Sequence, residues 1–185
     1  MVTDPVLDLR SIFGVRARVT KSAESTEGAL VEMDCTAEPG SMTMVHLHPE
    51  QEETFRVIEG ALEVLDDGHW KPLMAGQSHT VPKGAVHAWR NAAEVPVRFI
   101  NVHRPALGFE AHLAMLDRLV KEGKVRGTSD PRSLIYLSMS AARYRPDVTV
   151  RPPQWVVSAM AAVGRLLRFR LEEGRAGSED RGGAA

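Results

Sequence analysis

The chain has 185 residues, with 23 Lys or Arg, 24 Asp or Glu and a formal net charge of -1 at pH 7. This length suits one domain plus an extension, and the charge balance lacks the basic excess typical of nucleic-acid-binding proteins, so no nucleic-acid partner is expected. The single cysteine, Cys35, excludes an intramolecular disulfide and a zinc site built on several cysteines. Any metal site would therefore use His, Asp and Glu.

The chain also lacks the usual signals for secretion and membrane insertion. Its N-terminus has neither the basic start nor the apolar core of a signal peptide. The longest apolar-leaning run, Trp155 to Gly164, is about half as long as a membrane-crossing helix. We therefore expect a cytoplasmic protein. The arginines between Arg143 and Arg170 favour the solvated face of a packed helix over a helix bound to an anionic membrane surface.

Short runs with alternating or β-branched character fill the region from residue 15 to 103, with Gly, Pro and Asp between them. This rhythm predicts about eight antiparallel strands in a sandwich or barrel. The runs are RARVT (16–20), ALVEMDC (29–35), SMTMVHLH (41–48), ETFRVI (53–58), ALEVL (61–65), SHTVP (78–82), AVHAW (85–89) and VRFINV (97–102).

Beyond Arg104 the pattern changes from strands to helices. Apolar residues at helical spacing begin at Phe109, and Asp130 followed by a proline predicts a second helix start. The proline pair at 152–153 predicts a third. We divide the chain into an N-terminal arm (1–14), a barrel (15–104), a helical extension (105–170) and a Gly-rich, charged tail that we expect to be disordered (171–185).

Two histidines one residue apart, His46 and His48, point to the same face if they lie on a strand. The residues that follow can turn into the next strand, where Glu53 is the candidate carboxylate. Glu53 alternates in phase with apolar inward positions of that strand, whereas Glu52 faces outward and Glu50 lies in the turn. The pair of imidazoles and one carboxylate predict part of a metal site.

A fourth candidate ligand, His87, follows a predicted turn at 82–84. A turn this tight fixes the position at which the first inward side chain of the next strand emerges. Three imidazole nitrogens and one carboxylate oxygen suit Zn, Ni, Mn, Fe or Co, with one or two positions open for water or substrate. We therefore expect a divalent metal ion (Fe, Zn, Ni or Mn) as the cofactor.

A resemblance to the cupin superfamily is carried by two stretches, GSMTMVHLHPEQEETFRVIEG (40–60) and GQSHTVPKGAVHAWRN (76–91). The first resembles the first cupin motif at every fixed position, and the second resembles the second motif. The spacing between them matches that of small single-domain cupins. The resemblance implies that the metal ligands correspond to His46, His48, Glu53 and His87. It implies turn and framework roles for Gly40, Gly60, Gly76, Pro82, Gly84 and Asn91.

The predicted fold class is therefore all-β, a cupin-type jelly-roll β-barrel with a C-terminal α-helical extension, whose helices are expected to cover one mouth of the barrel. Apolar side chains that alternate with the ligands should line the pocket as well as contribute to the core. These are Met42, Met44, Phe55, Val57, Trp89 and Phe99. The remaining histidines are expected on the surface or behind the ligands, with an approach of His79 to the pocket left open: His69, His79, His103 and His112.

These features favour a metal-dependent enzyme that acts on a small, partly apolar organic molecule, foremost as an oxygenase of the dioxygenase type, with Glu53 as the candidate base. An isomerase, cyclase or decarboxylase is the enzymatic alternative, and a non-catalytic ligand-binding protein is the alternative from another class. No GxSxG motif supports nucleophilic hydrolysis. We also expect a homodimer that uses Val45, Leu47 and the apolar part of the N-terminal arm.

Overall fold

The computed structural model describes residues 5–171, which form eleven strands and four helices. The strands are β1 (Val6–Leu9), β2 (Val15–Lys21), β3 (Val31–Ala37), β4 (His46–Leu47), β5 (Glu52–Glu59), β6 (Ala61–Asp66), β7 (His69–Met74), β8 (Ser78–Val81), β9 (His87–Arg90), β10 (Val97–Arg104) and β11 (Thr149–Val150). The helices are α1 (Arg10–Phe13), α2 (Phe109–Lys121), α3 (Pro131–Arg143) and α4 (Gln154–Leu166). The predicted disordered tail lies outside the described residues except for Leu171.

The strands form two antiparallel sheets that enclose the core. The first sheet has the order β1-β2-β3-β10-β5-β8 and the second has the order β11-β4-β9-β6-β7. Burial alternates along the strands, as in β5, where Phe55 and Val57 are fully buried and Arg56 between them is exposed. The inward residues of both sheets therefore pack against each other. This architecture confirms the predicted jelly-roll β-fold with a C-terminal helical part.

Several strands differ from the sequence prediction, among them β1 and β11, which it does not contain. The prediction missed β7, which contains Pro72, a residue that cannot donate to a central ladder. Strand β7 lies at the edge of its sheet, so the backbone groups on one of its sides have no neighbouring strand to bond. The stretch predicted as a strand over 41–48 is regular only in β4. Before β4, the Thr43 hydroxyl accepts the hydrogen bond from the Trp89 amide at 3.1 Å, so a side chain replaces a main-chain partner there.

The helices α3 and α4 of the extension begin directly after the residues that predict their starts, at Pro131 and Gln154. Asp130 accepts hydrogen bonds from the amides of Arg132 and Ser133, as an N-cap residue does. After α3 the chain returns to the barrel, because β11 pairs with β4 and places Val150 opposite His46. None of the helices within residues 5–171 is long and apolar enough to cross a bilayer.

Candidate metal centre and its cavity

Two turns bring the predicted ligands together. The Gly84 amide donates a hydrogen bond to the His48 carbonyl oxygen at 2.7 Å, which ties the turn before β9 to the turn before β5. Gly84 has a φ of +76°, a conformation that glycine adopts without steric cost. His46 lies directly opposite His87 in the second sheet, and Glu53 faces them from the first sheet. The cluster therefore sits between the sheets.

The four predicted ligand groups converge on one point. The Glu53 Oε2 atom lies 2.6 Å from Nε2 of His87, 3.4 Å from Nε2 of His48 and 3.9 Å from Nε2 of His46. One donor atom from each of the four residues lies within 4.8 Å of the others. Metal bonds of about 2.1 Å hold neighbouring donors roughly 3 to 4 Å apart, so small movements would let all four share one ion.

Each of the three imidazoles uses its Nδ1 atom to hydrogen-bond a main-chain carbonyl oxygen. The pairs are His46 with Met44 at 2.8 Å, His48 with Asp147 at 2.7 Å, and His87 with Ala85 at 2.9 Å. Because a carbonyl oxygen only accepts, each Nδ1 carries a proton, so Nε2 is the nitrogen available to a metal. At His87, Nε2 also carries a proton while it donates to Glu53 Oε2, and a metal would replace that proton. Nε2 of His48 is buried and has no hydrogen-bond partner among the described residues. The donor set therefore fits a divalent cation.

The electrostatics of the cluster favour a cation. Burial by itself would raise the pKa of the Glu53 carboxyl, but His103, His48 and His87 hold that pKa well below its usual range. Burial, reinforced by His87, lowers the pKa of His46 to about 3. At His87 burial is outweighed by the hydrogen bond and charge of Glu53, so its pKa is raised. Glu53 is thus ionised, and positive charge beside it is stabilised.

Two residues that support Glu53 were not identified as such from the sequence. The Asn101 side-chain amide donates to Glu53 Oε1 at 2.8 Å, which leaves Oε2 facing the imidazoles. Nε2 of His103 donates to Asn101 Oδ1 at 2.9 Å. His103 is fully buried and stacks on Phe109 with ring centroids 3.6 Å apart, so it lies behind the ligands and not on the surface. Both residues alternate in phase with inward Phe99 on β10, a signal that was available in the sequence.

A largely apolar cavity of about 110 Å³ adjoins the ligands. Three of the predicted pocket residues, Met44, Trp89 and Phe99, line it together with His46 and Glu53. The helical extension supplies another wall, whose residues are Phe109, His112, Leu113, Leu116, Val148 and Val150. The cavity therefore has one polar end, formed by the cluster, and apolar sides from both regions of the chain.

The other three predicted pocket residues do not line this cavity. Phe55 and Val57 share the inward face of β5 with Glu53, but they lie farther along the strand, where the two sheets are closely packed and Phe55 contacts Phe99. Met42 is half exposed and lines an adjoining groove, because the chain leaves the regular ladder before β4. His79 does not reach the cavity either, since its ring is bound to Asp66 at 2.9 Å.

One residue of the extension contacts both a ligand and a helix start. The Asp147 carbonyl oxygen accepts the hydrogen bond from His48, as described above. The Asp147 carboxylate accepts a hydrogen bond at 3.0 Å from the amide of Gly108, the residue before α2. The extension therefore takes part in orienting a ligand as well as in enclosing the cavity.

The family model of the cupin domain matches residues 33–103, a stretch that contains all four converging ligands. This stretch of the chain is a cupin domain. The match ends in β10, so the matched cupin domain does not include the elements that follow it in the chain, which are α2, α3, β11 and α4.

The chain is similar to parts of two curated proteins. Protein SchB of Streptomyces halstedii is 33% identical over 86 residues, which is 46% of this chain and 62% of SchB. Polyketide synthase CurC of Streptomyces cyaneus is 39% identical over 62 residues, which is 34% of this chain and 40% of CurC. The chain thus spans about half the length of these relatives. Among solved structures, it is similar to the polyketide cyclase RemF of Streptomyces resistomycificus, with a TM-score of 0.48 and 19% identity over 55% of this chain and 73% of RemF.

Proposed function

We propose that this chain is a metal-dependent cupin enzyme that acts on a small, partly apolar organic molecule. The observation that carries the proposal is the convergence of three imidazole Nε2 atoms and one carboxylate oxygen at the polar end of an apolar cavity. A site with four protein donors leaves coordination positions open for a substrate oxygen, provided that the metal prefers five or six ligands.

The protein residues have distinct roles in this proposal. His46, His48 and His87 would hold the ion, with their orientation fixed by the carbonyl oxygens bound to Nδ1. Glu53 would bind the ion through Oε2 and, once detached from it, would accept a substrate proton there as the base, while Asn101 holds Oε1 in place. A bound divalent ion would supply Lewis acidity toward a substrate oxygen and, in the case of iron, a path for electrons to dioxygen. The apolar walls would exclude water.

The first reaction that we propose is oxygenation by dioxygen. Three imidazoles and one carboxylate bind iron readily, and an apolar cavity suits both dioxygen and an organic substrate. The second candidate is a cyclisation or related isomerisation or decarboxylation, which is favoured by the similarity to a protein named polyketide synthase. Here Glu53 would remove a proton from the carbon next to a substrate carbonyl group. The negative charge that develops on the carbonyl oxygen would be stabilised by the Lewis acidity described above.

The test is oxygen consumption by the full chain loaded with Fe(II), with catechol, a flavonol and pentane-2,4-dione as probes. Oxygen uptake that requires both iron and His87 supports the oxygenase. Product formation without oxygen uptake, also with Zn, supports the second candidate. Tight probe binding without any turnover would instead place the protein among ligand-binding cupins and contradict both enzymatic proposals.

We also propose that the chain forms a homodimer through the outward side chains of Val45 and Leu47, which are partly exposed. The N-terminal arm contributes less than its sequence suggests, because Leu7 and Leu9 are already buried within this chain. Light scattering at micromolar concentration should give twice the chain mass of 20.3 kDa. A particle of single-chain mass contradicts this proposal.

A further inference from the structure

A second compartment adjoins the cavity at the ligand cluster. This groove has a volume of about 280 Å³ and runs between the segment before β4 and helices α2 and α3. The cavity and the groove meet, because they share the lining residues Phe13, Thr43, Met44, His112, Leu116 and Val150. Farther from the cluster the groove is lined mainly by apolar side chains, including Ile12, Leu137 and Ala141.

His112 lies at the neck between the two compartments. Its imidazole is buried, and Nδ1 has no hydrogen-bond partner among the described residues. The ring stacks on Tyr144 with centroids 4.7 Å apart, which fixes its plane. Burial, with a smaller contribution from His48, lowers the pKa of His112 to about 4, so the ring is neutral near pH 7. A neutral imidazole offers one donor and one acceptor.

The sizes of the compartments limit what each can hold. An apolar cavity of about 150 Å³ binds benzene in a well-studied case, so a cavity of about 110 Å³ takes a head group no larger than one ring. The groove is larger and has few polar side chains. A molecule that fills both the cavity and the groove must therefore pass the neck. There it should offer a hydrogen-bonding group to His112, because a buried polar atom without a partner is unfavourable.

Building on the proposed function, we propose that the substrate is amphiphilic, with an oxygen-bearing head in the cavity, a polar group at His112 and an apolar tail in the groove. His112 then determines specificity by hydrogen-bonding the polar group that joins head and tail. The residue belongs to the helical extension, outside the matched cupin domain.

The tail is tested with phenol and its 4-ethyl, 4-propyl and 4-butyl derivatives, whose binding to the full chain is measured by calorimetry. Each added methylene should lower the dissociation constant about fourfold as it enters the groove. Ala141→Phe narrows the groove and should abolish this gain, whereas Ala142→Phe on the same helix, which lines neither compartment, should retain it. A series that is flat with chain length, an equal gain in Ala141→Phe, or no phenol binding overturns the inference.

The neck is tested with 1-(4-hydroxyphenyl)pentan-1-one and 4-pentylphenol, which differ by a carbonyl group where the tail begins. The ratio of their dissociation constants should shift by about fivefold against the ketone in His112→Phe, which keeps the aromatic stacking but loses the hydrogen bond. Leu119→Met, on the same helix but lining neither compartment, serves as the matched control. An unchanged ratio in His112→Phe removes His112 as a specificity determinant.

The same titrations separate this inference from the proposed function, because they are run on both EDTA-treated and Zn-loaded protein. Affinities that do not respond to metal contradict the metal-dependent function alone. Loss of the chain-length gain or of the His112 effect, with the response to metal intact, contradicts the amphiphilic substrate alone.

Discussion

The barrel and the helical extension contribute to one site in different ways. The barrel supplies all four converging side chains from within the matched cupin domain, and it holds them through turns and ladder register. The extension supplies apolar walls, the neck residue His112 and the carbonyl oxygen of Asp147. The region matched by the family model thus supplies the residues that could hold a metal ion, and the region outside the match supplies part of the cavity wall. Family membership by itself leaves the reaction open for this reason.

The extension also takes part in orienting a ligand, through a hydrogen bond to His48. His48 is held from behind by Asp147, although the two residues are far apart in sequence. The pairing of β11 with β4 keeps this contact in place. Changes in the barrel should therefore act mainly on metal affinity, whereas changes in the extension should act on stability and ligand choice, with Asp147 acting on both.

The largest effect is expected from the barrel ligand His48. Replacing it with Ala removes one of four donors, and we expect the affinity for Zn²⁺ to fall by at least about a hundredfold, since loss of an outer contact alone commonly costs ten- to hundredfold. Competition with a chelator on EDTA-treated protein measures this. His79→Ala, which alters an imidazole bound to Asp66 outside the cluster, should keep the wild-type affinity. Equal affinities in both variants would mean that the cluster does not bind the ion.

In the extension, the largest effect is expected from the pH dependence of stability at His112. Because its native pKa is lowered from 6.5 to about 4, the unfolded chain takes up a proton there between these values and the folded chain does not. The free energy of unfolding should therefore fall as the pH drops from 6.5 to 4, by about 3 kcal/mol from this group, and be unaffected by it above 6.5.

Urea unfolding of EDTA-treated protein at pH 7 and pH 4.5 measures this contribution. His112→Phe should lose less stability between the two pH values than the wild type, and Leu113→Met, a matched change on the same helix, should lose as much as the wild type. If His112→Phe loses stability to the same extent as the wild type, His112 does not stay neutral in the folded chain.

The contrast between the regions also explains what could be predicted from sequence. His46, His48, Glu53 and His87 were predictable because alternation and tight turns place them by local rules, and the family resemblance pointed to the same four. Alternation shows which face of a strand a side chain lies on, but not how far along the strand the cavity extends. Phe55 is therefore predicted to line a cavity that it does not reach.

Other features have no local signal. The contact between His48 and Asp147 uses a main-chain carbonyl, which every residue possesses, so no residue type marks it. The position of His112 at the neck depends on how α2 packs against the barrel, a relationship between distant segments. For Asn101 and His103 a local signal exists, because both alternate in phase with Phe99. It does not connect them with Glu53, since that contact depends on the pairing of β10 with β5.

An intermediate effect is expected from Asn101, a barrel residue that orients a ligand. Asn101→Leu removes the donor to Glu53 Oε1 and leaves a buried carboxylate oxygen without that partner, so Zn²⁺ affinity should fall about ten- to hundredfold. The chelator competition measures it. Thr54→Val removes a hydrogen bond to Thr80 from the outer face of the same sheet and should leave the affinity unchanged. An unaltered affinity in Asn101→Leu shows that Glu53 needs no support from behind.

The smallest effect, and the most direct test of the contact between the regions, is expected from two carboxylates at helix starts in the extension. Asp147→Ala and Asp130→Ala each remove hydrogen bonds to helix-start amides, and each should lower the free energy of unfolding by about 1 kcal/mol, measured in urea. Only Asp147→Ala should also weaken Zn²⁺ binding, by about threefold, because the carbonyl oxygen that holds His48 remains but is less firmly placed. If both variants bind Zn²⁺ equally well, the extension encloses the cavity without orienting the ligand, and the two regions act independently on the ion.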